Sequence, residues 1–314
     1  MKTKSIGILA VSLATALSTT AIAQDEMLIG IVSIAATEAN NVRYIAGAEK
    51  AASMLGWEVS VIDAAGSADQ ANSAIQNLVQ RGAGAIIDMV FPVSSLGAGL
   101  ASADAAGVPV VSWGGGLGGS VAATNGSGGP MAIPVVEQMI EKLGDKGSIL
   151  ALTYRTGEVC RNREVVMDEM LASYPDIKVT KNEVPIPGYF EAGAQFAVAW
   201  LASHPSGSEP LAIWGCWDDP SIGAIGTLRQ QGRTDVEVYG INGNAQALEN
   251  IQNGHMTATA WQDSYTEGYN MVNMLVDIKA SDNWEPVAAE VPAVLVDADS
   301  IGEFLEMHPE AIGQ

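Results

Sequence analysis

Basic residues, histidine and cysteine are all scarce in this chain of 314 residues. Only 15 lysines and arginines stand against 36 aspartates and glutamates, which gives a formal net charge of −21. Nucleic acids and anionic membranes bind proteins through clustered positive charge, so we expect neither as a partner. The histidines, His204, His255 and His308, are scattered and far from both cysteines, so the sequence predicts no metal site.

The two cysteines, Cys160 and Cys216, leave one structural question open. In an oxidising compartment they could form a disulfide. Both are expected near the carboxyl ends of strands in the same half of the chain, so a bond is geometrically feasible. Two free, buried thiols are the alternative, and the sequence does not choose between them.

The sequence also contains no long hydrophobic run. Its most apolar stretch is short and lies near the start of the chain. Lys2 and Lys4 precede an apolar stretch from Ile6 to Leu17, which is too short to span a membrane. The small residues of Ala21–Ala23 follow, as at a signal-peptidase site. We therefore predict a signal peptide over residues 1–23, cleaved after Ala23, and an exported protein. A buried N-terminal helix is the alternative interpretation.

The rest of the chain alternates between strand and helix patterns. Predicted strands cover 27–34, 58–63, 85–90, 108–113, 121–124, 148–154, 177–184, 211–217 and 236–241, and predicted helices 40–55, 68–81, 93–106, 131–143, 159–174, 191–203, 221–231 and 245–253. This alternation predicts an α/β fold with parallel sheets. The same rhythm restarts after Asn125 without a long linker, so we expect two Rossmann-like lobes joined by a short hinge.

One stretch, Leu211–Ser221, combines a buried strand with aromatic and acidic residues at its end. In open α/β sheets, ligands bind just beyond the carboxyl ends of the strands, where Trp217 and Asp218 are expected. An apolar ring face beside a carboxylate suits the C–H surface and the hydroxyls of a sugar or polyol. Alternatively, Asp218 or Asp219 caps the following helix and the tryptophans belong to the core.

Several short segments, in this order and spacing, resemble the ribose-binding type of periplasmic binding protein, the sugar-binding subunit of an ABC importer. They are Ile29–Ser33, Gly47–Ala52, Gln76–Gly82, Ala106–Val111, Ser221–Ala224, Val238–Gly243 and Thr257–Gln262. The resemblance implies two lobes joined by three crossings, which we place near Asn125, Gln262 and Ala293. The N-terminal lobe would then comprise 24–125 and 263–293, and the C-terminal lobe 126–262 and 294–314.

The resemblance also implies partners and a compartment. We expect a periplasmic monomer that needs no cofactor and performs no catalysis. Its partners would be a small neutral or amine-bearing sugar or polyol, an ABC permease in the inner membrane and, as a further candidate, a chemoreceptor.

The family's ligand-binding positions map onto this chain in its second half. Arg163 matches an arginine that bonds sugar hydroxyls, and Gln262 matches a glutamine near the hinge. Asp218 falls where the family has Asn or Asp, and Asn242 where it usually has Asp. Tyr189 or Phe190 falls near an aromatic residue that packs on the sugar ring. The neighbouring Arg161 is expected on the surface or in an ion pair.

The first half departs from the family's pattern, which argues against ribose as the ligand. Gly114 and Gly115 replace an Asp-Arg pair, and Asn40 and Asn41 replace two stacking aromatics. The polar groups of the first lobe would then come from Thr37, Glu38, Asn40 and Asn41, with Trp113 as the stacking face. Glu38 together with Asp218 would tolerate an amine. Alternatively, Glu38 and Asn40 cap a helix, Trp113 is core and Asn242 serves a turn.

Two other classes of function remain in view. An exported carbohydrate-active enzyme could use Glu38 and Asp218 as a carboxylate pair, but the chain has no Gly-x-Ser-x-Gly, His-Glu-x-x-His or P-loop motif. The glycine-rich stretch Gly114–Gly119 lacks the Lys-Ser/Thr of a P-loop. A receptor for a sugar-like signal molecule would have a very similar sequence. A sugar-responsive repressor core is disfavoured by the export signal and the missing DNA-binding helices.

Overall fold

The computed structural model of the protein describes residues 26–126, 128–289 and 292–312. The predicted signal peptide over residues 1–23 and its cleavage site lie outside the described residues. The strands are β1 Leu28–Ser33, β2 Glu58–Asp63, β3 Ala85–Met89, β4 Val110–Trp113, β5 Val121–Asn125, β6 Gly147–Thr153, β7 Ile177–Glu183, β8 Leu211–Gly215, β9 Val236–Asn242, β10 Ala258–Trp261, β11 Val287–Ala288 and β12 Val294–Asp297. The helices are α1 Ala39–Met54, α2 Ala68–Gln80, α3 Gly97–Ala105, α4 Ile133–Leu143, α5 Glu158–Leu171, α6 Tyr189–Leu201, α7 Asp218–Gln231, α8 Ala245–Gln252, α9 Ser264–Ala280 and α10 Ile301–Met307.

These elements form two six-stranded sheets. The first has the strand order β11-β5-β4-β3-β1-β2, with every pair parallel. The second has the order β12-β10-β9-β8-β6-β7, in which β12 alone runs antiparallel to its neighbour. Ile29, Ile31 and Val32 are all fully buried, because helices cover both faces of the sheet. The predicted α/β class, with two Rossmann-like lobes, is confirmed.

The chain passes between the two sheets three times. It leaves the first sheet after β5 and returns through α9, which packs against α1. It crosses again between β11 of the first sheet and β12 of the second. The lobe boundaries placed near Asn125, Gln262 and Ala293 stay predictions.

Two glycines allow α1 and α9 to approach closely beside the cleft. A Cβ on Gly47 would lie 1.9 Å from the carbonyl oxygen of Tyr265, and one on Gly268 would lie 2.1 Å from that of Tyr44. Any side chain at either position would therefore push the helices apart. This contact holds the start of α9 next to the start of α1, where both reach the cleft.

The start of α7 differs from the sequence-based prediction. The helix begins at Asp218 rather than Ser221, and the extended residue Trp217 is its N-cap, with no side-chain capping bond. Asp218 and Asp219 occupy the first turn together with Pro220, a residue suited to that position. The interpretation that Asp218 or Asp219 caps this helix is therefore wrong, and both carboxylates bond elsewhere.

The predicted helix over 93–106 is divided in the structure. A 3₁₀ turn at Val93–Ser95 precedes α3, and Asn72 bonds both parts. Its Nδ2 donates to the carbonyl of Ser95 at 2.8 Å, while its Oδ1 accepts from the N–H of Gly99 at 2.7 Å.

Among the described helices, none is both long and apolar enough to cross a bilayer.

Candidate ligand-binding site

A cavity lies between the two lobes, at the carboxyl ends of strands from both sheets. It contains about 520 Å³ of empty space, its mouth included. Its wall is formed by Ile34, Ala35, Glu38, Asn40, Asn41, Val90, Trp113, Gly126, Tyr154, Val159, Cys160, Arg163, Ile186, Trp217, Asn242 and Gln262. This is the position at which parallel α/β sheets bind ligands.

The structure brings together most of the residues that the sequence predicts for the site. Those on the wall are Glu38, Asn40, Asn41, Trp113, Arg163, Trp217, Asn242 and Gln262. The other four lie elsewhere. Thr37, Tyr189 and Phe190 line two shallower pockets at the mouth of the cleft, and Thr37 is exposed.

Asp218 is fully buried behind the wall, and protein groups occupy its carboxylate. Its Oδ1 accepts from the Thr259 hydroxyl at 2.6 Å, and its Oδ2 accepts from the N–H of Asn244 at 2.8 Å. Glu38 is therefore the one carboxylate residue of the described cavity wall. This arrangement offers no pair of acids facing one ligand, which a glycosidase would need.

The two tryptophans of the wall differ in how much of each ring is covered. Tyr44 stacks on Trp113, with ring centroids 4.6 Å apart and planes 29° apart. The indole Nε1 of Trp113 donates to the carboxylate of Glu267. Trp217 makes only edge contacts, with Tyr154 at 6.1 Å and Tyr189 at 5.5 Å. Trp217 therefore offers the freer ring surface.

Hydrogen bonds to neighbouring groups orient the two asparagines at the start of α1. The Oδ1 of Asn40 accepts from Arg43 at 2.7 Å, which leaves the Nδ2 donor of Asn40 for the cavity. Asn41 is turned the other way. Its Nδ2 donates to the carbonyl of Ala35 at 2.8 Å and to the hydroxyl of Ser33 at 3.3 Å. Asn41 therefore keeps an acceptor for the cavity.

Three other wall residues each keep one buried oxygen without a partner among the described residues, namely Glu38 Oε1, Asn242 Oδ1 and Gln262 Oε1. The second oxygen of Glu38 caps α1 by accepting from the N–H of Asn41 at 2.9 Å, so Glu38 both caps the helix and lines the cavity. The Nε2 of Gln262 donates to Glu267 at 2.8 Å, which directs its Oε1 away from Glu267. Buried polar atoms are normally satisfied, so these oxygens point to a ligand that donates hydrogen bonds.

The ionisable groups of the wall are one carboxyl and one guanidinium. Burial raises the pKa of Glu38, although hydrogen bonds from backbone N–H groups oppose the rise. Burial lowers the pKa of Arg163 to about 10, so this residue remains cationic at neutral pH. The Nη1 of Arg163 donates to the carbonyl of Cys216 at 2.7 Å. The formal charges of the wall therefore balance, which suits a neutral ligand.

A disulfide between Cys160 and Cys216 answers the question that the sequence leaves open. It joins α5 to the segment after β8, with the two Cα atoms 5.2 Å apart. Arg163 lies one helical turn after Cys160, so the bond holds its guanidinium near the cavity. Arg161, by contrast, forms the predicted ion pair, with Glu158.

Two sets of hydrogen bonds connect the lobes around the cavity. Arg43 of α1 donates to the carbonyl oxygens of Asn242 at 2.9 Å and Gly243 at 3.3 Å. The N–H of Glu158 donates to the carbonyl of Val90 at 3.2 Å. The cleft is therefore closed in this structure.

Four of the residues that sequence reasoning missed hold or line the site with polar or backbone contacts, namely Arg43, Val90, Tyr154 and Glu267. Two of them carry a usable signal: Arg43 lies one helical turn after Asn40, and Tyr154 follows a strand as Trp217 does. Val90 and Glu267 carry none, because their roles depend on backbone conformation and on helix packing.

Comparison with known proteins agrees with this fold. Residues 29–282 match the family model described as "Periplasmic binding protein domain". A xylitol-binding protein of Mycolicibacterium smegmatis is 30% identical over 200 residues, which cover 62% of this chain and 56% of that protein. A ribose import binding protein of Bacillus subtilis is 27% identical over 69% of this chain and 70% of its own length.

A solved structure of an ABC transporter solute-binding protein from Agrobacterium vitis, with bound allitol, superposes with a TM-score of 0.83. It is 21% identical and covers 90% of this chain and 99% of its own, so it is evidence for the fold alone. The family model spans most of the chain and the two-lobed architecture agrees with it. The chain therefore belongs to the periplasmic binding protein family.

Proposed function

We propose that this protein is the solute-binding protein of an ABC importer and closes its lobes around one small neutral sugar or polyol. The observation that carries the proposal is a set of three buried oxygens, on Glu38, Asn242 and Gln262, that have no partner in the part of the chain that the structure describes. Hydroxyl groups can donate to these oxygens and accept from the Arg163 guanidinium and the Asn40 amide. The relative named for xylitol supports a polyol in particular.

The wall favours a linear polyol over a sugar ring or an amine. Tyr44 covers one face of Trp113, so Trp217 keeps more ring surface for stacking. Arg163 remains cationic on the wall and would repel an ammonium group. An amino sugar is therefore a weaker candidate than a neutral polyol.

The mechanism is capture without chemistry. The ligand contacts both lobes only when they are closed. Because these extra contacts exist in one state only, the ligand stabilises the closed state relative to the open state. The closed form would then be read by an inner-membrane permease, and by a chemoreceptor if the protein also signals. The protein would act as a monomer in the periplasm. An enzymatic role is less well supported, because the wall lacks a second acid.

The test is a thermal-shift and calorimetry screen of the chain from residue 24. The probes are xylitol, ribitol, allitol, myo-inositol, ribose, glucosamine and the common amino acids. A ligand at a hundred times its Kd adds about 2.7 kcal/mol of stability, and we expect at least one polyol to produce the corresponding rise in Tm. Asn242→Gly should weaken its binding about tenfold, while Thr37→Ala, at the exposed mouth, should not. Shifts with amino acids alone would contradict the proposal.

A further inference from the structure

Glu267 lies near the start of α9, behind the cavity wall, and only 4% of its surface is exposed. Its carboxylate accepts two side-chain hydrogen bonds, from Trp113 Nε1 and from Gln262 Nε2. Its main-chain carbonyl accepts a third, from the Nδ2 of Asn125 at 2.9 Å. Glu267 therefore contacts two wall residues and the segment that leaves the first sheet.

These contacts dictate which end of the Gln262 amide faces the cavity. The indole N–H of Trp113 can only donate, so Glu267 has to accept there. An ionised carboxylate can likewise only accept, so it also requires the Nε2 of Gln262 as a donor. The Oε1 of Gln262, a residue that lines the cavity, then has no partner among residues 26–126, 128–289 and 292–312.

We propose that Glu267 is a specificity-determining residue that never touches the ligand: it makes Gln262 present an acceptor, and so selects a ligand hydroxyl that donates. The inference rests on the proposed function of the same cavity. Glu267 acts here as a positioning residue, and the ligand contact itself belongs to Gln262. Replacing the carboxylate by a group that can donate should invert this contact.

The surroundings of Glu267 make its charge sensitive to pH near neutrality. Burial raises its pKa to about 7, against the lowering effect of the Trp113 and Gln262 hydrogen bonds. Asp263 raises this pKa further and Arg163 lowers it. The other groups facing Glu267 come from α1 and are the Arg43 cation and the Tyr44 phenol. The pKa of Tyr44 is raised well above its ordinary value, mainly by burial and then by the charge of Glu267.

The sign of the pH dependence follows from the hydrogen bonds. A protonated Glu267 donates through its O–H, so Gln262 turns its Oε1 towards Glu267 and its Nε2 towards the ligand. A ligand selected for a donating hydroxyl therefore prefers the ionised form of Glu267. Its affinity should be fully present above pH 7 and should decrease as the pH falls through about 7.

The test compares Glu267→Gln with Asp263→Asn, which removes a neighbouring charge but keeps the capping oxygen of α9. Xylitol, ribitol and allitol are titrated calorimetrically at pH 6 and pH 8. We expect the wild-type protein to bind roughly three- to tenfold more weakly at pH 6, and Asp263→Asn to lose less affinity there, because the Asp263 charge raises the Glu267 pKa. Glu267→Gln should bind with the weaker affinity at both pH values, because its amide can donate to Gln262. Equal affinities in all three proteins, without pH dependence, would overturn the inference.

Two further measurements keep the inference separate from the proposed function. In the ligand-free protein, the side-chain amide NMR signals of Gln262 should titrate with a midpoint near pH 7 in the wild type and not in Glu267→Gln. If no polyol or sugar binds while these signals titrate, the proposed function fails and the control of Gln262 by Glu267 stands. Signals that do not titrate overturn the inference. If Glu267→Gln does not fold, Trp113→Phe provides the test: losing one donor should move the midpoint to higher pH.

Discussion

The main-chain N–H of Glu158 donates a 3.2 Å hydrogen bond across the cleft to the carbonyl oxygen of Val90. Glu158 is the first residue of α5 in the second lobe, where a helix has N–H groups without partners of its own. Val90 follows β3 in the first lobe and has a φ of 77°, a left-handed conformation that a β-branched residue rarely adopts. The strained backbone of Val90 thus supplies a carbonyl that completes the helix start of the opposite lobe.

Replacing Glu158 by proline should remove this bond between the lobes together with the ion pair of Glu158 with Arg161. Proline suits the first position of a helix, and the extended backbone of Gly157 accommodates a following proline. We expect Glu158→Pro to lower the affinity for every polyol by the same factor, about two- to tenfold. The loss should appear as faster dissociation, measured by stopped flow. Glu158→Ala also loses the ion pair with Arg161 but keeps the N–H. Identical dissociation rates in the two variants would show that the bond does not hold the lobes closed.

The strain at Val90 can be measured separately from its side chain. Val90→Ala and Val90→Gly both remove the isopropyl group, but only glycine adopts a positive φ without strain. We expect the glycine variant to be more stable than the alanine variant by about 1 kcal/mol, in chemical denaturation of the ligand-free protein. At an ordinary strand or helix position the order would be reversed, so a more stable alanine variant would contradict the assignment of strain.

Arg43 should contribute to both the closed state and the orientation of Asn40. It bonds the carbonyls of Asn242 and Gly243 in the opposite lobe and the Oδ1 of Asn40 in its own. Hydrogen bonds from a charged group are worth about 1.5–3 kcal/mol, so Arg43→Met should weaken polyol binding by roughly 10- to 100-fold. Small-angle scattering should also show a less compact protein at saturating polyol. The control is Arg81→Met, whose guanidinium bonds only the exposed Ser60 hydroxyl among the described contacts.

The disulfide should stabilise the fold and the site together. Breaking a bond between residues separated by 56 positions should cost about 2–4 kcal/mol in unfolding free energy. We expect a reductant to lower the Tm and to weaken polyol binding, because Cys216 accepts from the Arg163 guanidinium. A double Cys160→Ser, Cys216→Ser variant serves as the control, since its Tm should not respond to reductant. A wild-type Tm that is unchanged by reductant would mean that the bond adds no stability.

The candidate site was only partly predictable. The rule that ligands bind at the carboxyl ends of strands places Trp217 on the cavity wall, because strand ends can be read from local apolar runs, and the family resemblance adds Asn242 and Gln262. The same rule suggests Asp218 equally strongly. That carboxylate is instead occupied by Thr259 and Asn244, which lie 41 and 26 positions away in the chain. A pattern read over a few residues contains no information about such distant partners.

The sequence by itself determined the alternation of strands and helices, and with it the two-sheet α/β fold, because the burial of each element is encoded in its own apolar periodicity. Local patterns and resemblance to a known family together added the cleft and half of its described wall residues. Only the tertiary structure decided which atom each wall residue offers to a ligand. Glu267 sets the amide of Gln262, and Arg43 sets that of Asn40. These bonds depend on how α1, α9 and the two lobes pack, and packing between distant segments leaves no local periodicity to read.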